Sequence, residues 1–139
     1  MTMKKQAGTL LILMLAGLAG LVNAQTSVRI KAQVPFGFVA NGKTMPAGEC
    51  IISNVVAASG LLTIRSGKQS VFALPMAVES PNVSNKTALV FHRYGGRYFL
   101  AGIKYQGEIS YQLPASRLEG ELRARNVTEE VYALLASAN

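Results

Sequence analysis

The chain has 139 residues, a formal net charge of +7, one cysteine and one histidine. A single thiol excludes an internal disulfide, and one histidine with seven scattered glutamates gives no metal-ligand spacing, so no metal or cofactor is expected. There is no aspartate to orient a catalytic histidine and no glycine-rich phosphate loop between a strand and a helix.

Residues 1–24 read as a secretory signal peptide. Lys4 and Lys5 precede an uncharged apolar run, Leu10 to Val22, and Val22-Asn23-Ala24 offers small residues for cleavage near Ala24. The run is too short and wrongly flanked to span a membrane, so no transmembrane span is expected in the mature chain. That chain, 25–139, has 115 residues and a net charge of +5, the size of a single domain. Export places it in the periplasm or outside the cell. Its charge suits anionic partners such as phosphates, acidic glycans or lipid headgroups. Its scattered basic residues form no groove with stacking aromatics, which argues against nucleic acid.

Val28 to Val34 alternates apolar and polar residues, the period of a half-buried strand. Asn41-Gly42 suits a two-residue hairpin turn, and Pro46-Ala47-Gly48 a second tight turn. Cys50 to Val56 reads as a strand, and Leu61 to Leu74 as a hairpin around Ser66-Gly67. Pro75 to Lys86 reads as a long loop. Thr87 to Tyr94 and Arg97 to Tyr105 form a hairpin about Gly95-Gly96, and Gly107 to Leu113 adds a strand. Six to eight strands at this spacing predict a mainly β fold, an antiparallel barrel or sandwich.

The period changes over 114–138, which reads as a helical C-terminal segment. Ser116 with Glu119 forms a capping box, and Glu119–Arg123 and Glu121–Arg125 are favourable i,i+4 pairs. Thr128 can cap a second helix whose stripe is Val131, Leu134, Leu135 and Ala138. One straight helix would put Leu118 and Val131 on opposite sides, so a break is expected near Asn126.

The chemistry-bearing residues concentrate in Leu89 to Leu100. Pairing across Gly95-Gly96 sets Tyr94 opposite Arg97, Arg93 opposite Tyr98, His92 opposite Phe99 and Phe91 opposite Leu100. The strict alternation also puts Val90, His92, Phe99, Ala101 and Ile103 on one face. Both faces of the hairpin are apolar away from the turn, so sheet is expected on one side and the C-terminal helix on the other. At the tip, Arg97 can lie over Tyr94 and Arg93 over Tyr98. Arg93, Tyr94, Arg97 and Tyr98 are therefore the candidate ligand-binding residues, for an anion or a sugar. His92 reads as a packed strand residue. An enzyme would need it paired with a glutamate, and Cys50, alternating in a strand, reads as a buried thiol. No catalytic residue is nominated.

The segments "PFGFVANGKTMPAGE", "LLTIRS", "LVFHRYGGRYFL" and "LPASRLEGEL" resemble, in order and spacing, a family of short exported β-rich proteins of soil bacteria. The resemblance runs to about Leu122 and leaves out the segment from Thr128. It implies export and one β domain with a helical end, and it supplies no catalytic residues. Relatives tend to have tyrosine where Cys50 stands, which fits a packing position. The expectation is a non-enzymatic structural or interaction module of the bacterial cell envelope, its partner an anionic envelope component or another envelope protein. The alternative is a protein that binds an anionic or carbohydrate ligand through the 93–98 tip.

Overall fold

The computed structural model of the protein describes residues 28–53, 55, 60–79, 85–106, 109–125 and 127–138; the expected signal peptide lies outside them. The strands are β1 (Arg29–Val34), β2 (Phe38–Ala40), β3 (Lys43–Met45), β4 (Gly48–Ser53), β5 (Leu62–Ser66), β6 (Gln69–Ala73), β7 (Met76–Glu79), β8 (Ala88–Tyr94), β9 (Arg97–Tyr105) and β10 (Ile109–Gln112). Helix α1 (Arg117–Ala124) follows, then β11 (Glu129–Leu135) and β12 (Ser137–Ala138). They form two sheets, ordered β12-β1-β4-β5-β6 and β11-β8-β9-β10-β7, with the β2–β3 hairpin attached to β9 through Val39 and Phe99. The sheets do not close, so the expected β fold is a sandwich with a small helix rather than a barrel.

Period-two patterning builds the first sheet. In β1 every second residue is buried, and Ile30, Ala32 and Val34 meet Cys50 and Ile52 of β4 and Leu62 and Ile64 of β5. Phe91, Leu89, Leu100 and Ile103 close the same core from the other sheet. Asn41 (φ +46°) and Gly42 (φ +81°) make the β2–β3 turn as expected, both in the left-handed region that such a turn requires. That hairpin also guards the edge of β6. Asn41 Nδ2 donates to the Phe72 carbonyl at 2.8 Å and Lys43 Nζ to the Ser70 carbonyl at 3.0 Å, occupying acceptors that would otherwise pair with another strand.

Three expectations are corrected. The segment from Thr128 is not a second helix: β11 pairs with β8 along its length and β12 with β1. Its sequence fits both periods. The helical stripe is Val131, Leu134, Leu135 and Ala138, but Leu134, Ala136 and Ala138 also alternate, and these pack on the core. The strand wins because the edges of β8 and β1 offer backbone partners that a helix would leave unpaired. Next, the stretch read as a long loop from Pro75 contains β7, which pairs with β10 through Met76 to Glu79; residues 80–84 lie outside the description.

The third correction is a bulge. The hairpin register holds from Tyr94–Arg97 to Phe91–Leu100, then shifts, so Val90 pairs with Gly102 and Leu89 with Ile103. Ala101 is the extra residue. Ile103 thereby joins the core face with Leu89, Phe91 and Leu100, whereas strict alternation had set it on the other. Gly102 now sits where a Cβ would meet the Tyr111 carbonyl at 3.1 Å.

Candidate functional site

The outer face of β8–β9–β10 carries Val90, His92, Tyr94, Phe99, Lys104, Ser110 and Gln112. Helix α1 meets the end nearest the turn through Glu119 and Arg123, where Tyr94 and Phe99 are buried. The helix starts where its sequence says: Glu119 N–H donates to Ser116 Oγ at 3.2 Å. The second half of a capping box would send the Glu119 carboxylate back to the start of its own helix. Here it turns into the sheet instead, and the residue is 4% exposed.

Glu119 Oε1 accepts from three donors. His92 Nδ1 lies at 2.8 Å, Tyr94 Oη donates at 3.0 Å and Arg123 at 3.2 Å. Arg123 Nε donates to Tyr94 Oη at 2.8 Å. A carboxylate only accepts, so His92 Nδ1 carries the proton, and in the neutral ring Nε2 is an acceptor. Arg123 also lies 3.2 Å from Nδ1; both nitrogens are donors to the same oxygen. Glu129, at the start of β11, adds its carboxylate 3.4 Å from His92 and 3.7 Å from Arg123. Burial raises the Tyr94 hydroxyl pKa above its usual value, against the lowering effect of Arg123. The Tyr94 hydrogen bond is the main cause holding the Arg123 pKa above its ordinary value.

Beside this network lies a cleft of about 370 Å³. His92, Glu119 and Arg123 form its inner end. Val90 and Ala101 line its floor, and Lys104, Ser110 and Gln112 its outer part. The Lys104 side chain has no ion-pair or hydrogen-bond partner among the described residues.

The four tip residues do not share one pocket. Tyr94 is buried under α1, its ring edge-on to Phe99. Arg93 and Tyr98 lie on the opposite face, with the guanidinium 5.5 Å over the Tyr98 ring as expected. Tyr98 also stacks on Phe36 at 3.6 Å. Arg93 donates to the Gly95 carbonyl at 2.7 Å and lies 3.6 Å from Glu130. Arg97 is exposed at the turn, lining a shallow groove with Leu118. Glu119–Arg123 is the expected helical pair, whereas Glu121 pairs with Arg117 at 3.4 Å rather than with Arg125.

His92 is the residue that sequence reasoning undervalued. Its ring is partly exposed in the cleft and does have a glutamate in reach. The signal was present in Glu119, a capping glutamate whose helix had to pack somewhere, but the choice of packing face is not local. No nucleophile joins the pair among the described residues. Ser110 lies four residues along and two strands across from His92, about 16 Å between backbones, too far for its hydroxyl. Cys50 faces the core from the other sheet, with its pKa pushed up to about 12 by burial. Among the described residues no group of three or more histidine, cysteine or acidic side chains could hold a metal ion.

No family model, curated protein or solved structure matches the chain.

Proposed function

We propose that the chain is an exported, non-enzymatic binding protein of the bacterial cell envelope, and that its site is the cleft on the outer face of β8–β9–β10. The observation that carries this reading is convergence: His92 from β8, Lys104 from β9, Ser110 and Gln112 from β10, and Glu119 and Arg123 from α1 line one cleft. A few polar groups converging on a concave surface with a small apolar floor is the ordinary form of a small-ligand site. The basic apolar run at the N-terminus supports export. Relative to the hairpin tip, this places recognition on the helix-covered side, since the tip residues divide between two faces.

The test is an amide NMR screen of the protein against small carboxylates, amines and mono- and disaccharides. The expected result is a set of shifts confined to β8–β10 and the start of α1. Shifts only at the 93–98 tip, or none with any compound, overturn the reading.

A separate observation favours the interaction-module reading. Phe72, Leu74, Met76 and Val78 alternate along the path from β6 into β7, and all four are exposed. Strand β7 ends its sheet, so its outer edge has no strand partner among the described residues. An extended segment of another envelope protein, paired along β7 and covering this ridge, is the fitting partner.

A further inference from the structure

Resting on the cleft reading above, we propose that its ligand is a small carboxylate that donates hydrogen bonds from its far end. The inner end offers two acceptors beside the Arg123 guanidinium, whose charge is already engaged by Glu119, Tyr94 and Glu129. Glu119 Oε1 is taken by three donors, while Oε2 accepts from no described residue. No buried side-chain nitrogen or oxygen among the described residues lacks a partner, so Oε2 reaches the surface, where Glu119 lines the cleft. His92 commits Nδ1 to Glu119, and its Nε2 bonds to no described residue. An incoming group must therefore bring N–H or O–H to these two acceptors. An anionic group would meet Glu119 at close range, with Glu129 behind it.

The outer end has the opposite character. The Lys104 ammonium has no partner among the described residues, and Ser110, its neighbour across the β9–β10 ladder, supplies a hydroxyl. A carboxylate there gains a charge-assisted hydrogen bond. Lys104 stands level with Ala88, so the two ends lie four residues apart along β8, about 13 Å between backbones, less the inward reach of the side chains. The ligand's acid and its donors are thus several bonds apart. A sugar acid, donating hydroxyls, and a dipeptide, donating its ammonium, both carry this chemistry within a volume of about 370 Å³.

Titration calorimetry on protein produced from the full chain separates these sources. The probes are galacturonate and alanyl-alanine, with galactose (no acid) and butyrate (no donor) as controls. We expect galacturonate or alanyl-alanine to bind at least ten-fold tighter than both controls, and the tighter of the two identifies the source. Lys104→Met should abolish the preference over galactose while the far-ultraviolet spectrum stays unchanged. Glu119→Gln should abolish the preference over butyrate; if that variant unfolds, His92→Gln serves, keeping a side chain of similar reach but changing the acceptor. Galactose or butyrate binding as tightly as the acids, or Lys104→Met leaving the preference intact, overturns the ligand class while the cleft reading stands. Silence of all four probes also overturns the class. The cleft itself is removed only if the broader screen is also silent or shifts residues at the 93–98 tip alone.

Discussion

Two clusters in this protein, one buried and one partly buried, are built by opposite rules. Around Cys50, Ile30, Ile52 and Ile64 from three neighbouring strands pack side by side, and every contact follows from alternation along short strands. Beneath α1, His92, Tyr94, Glu119 and Arg123 are joined by directed hydrogen bonds between segments about two dozen residues apart or more. The apolar cluster tolerates apolar residues of similar volume. The polar one works only if each group finds its partner, because an unpaired buried charge is costly. The first specifies a sandwich; the second decides which side of it the helix covers and where an open cleft is left.

The comparison can be broken at several points. Phe91 bridges the two sheets and is fully buried, so Phe91→Ala should cost about 3–5 kcal/mol, read as a lowered urea midpoint. If the loss is under about 1 kcal/mol, the sheets do not share one core. Glu119→Ala strands Tyr94 and Arg123, and should cost about 2–3 kcal/mol, moderated because Arg123 is half exposed. The diagnostic is locality: amide exchange should quicken in α1 and β11 before it does in β4 and β5. Uniform acceleration would show that the knot is not a separate unit.

Alkaline pH probes the apolar cluster. The Cys50 thiol has its pKa raised from 9.0 to about 12 in the fold, so the folded state resists losing that proton. Its contribution is intact below pH 9 and is lost as pH rises towards 12, about 1 kcal/mol by pH 10. Cys50→Ala should therefore lose less stability between pH 8 and 10 than the parent chain, measured by denaturant titration at each pH. In the native protein the thiol should also resist alkylation at pH 8 until the chain unfolds. The smallest effect belongs to the cap: Ser116→Ala should cost about 1 kcal/mol, with the Glu119 contacts retained. A loss as large as that of Glu119→Ala would mean that the cap, not the knot, holds the helix.

Much of this fold is legible locally. Asn41-Gly42 fixes one hairpin, and Gly95-Gly96 sets a register that holds for four pairs. Of those two glycines only Gly95 takes a positive φ, +62°. The bulge at Ala101 is legible only in outline: Gly102 inside "FLAGIK" marks an irregular or closely approached strand position, but it does not say which residue is extra. Yet the bulge brings Ile103 into the core and places Gly102 beside the cleft floor. The final segment was ambiguous for a related reason. Tyr-Ala-Leu-Leu-Ala-Ser-Ala satisfies both helical and strand periods, and only the unpaired edges of β8 and β1 choose between them.

By itself, then, the sequence determined the local facts: the alternating strands, the turns, the start of the helix at Ser116 and the apolar basic-led segment at the N-terminus. These depend on the conformational preferences of a few adjacent residues. Tertiary structure decided where Glu119 points, that His92 gains a carboxylate, and that Lys104 faces it along an open cleft. Those outcomes depend on segments brought together by the core, and a hydrogen bond between His92 and Glu119 has no trace in either segment alone.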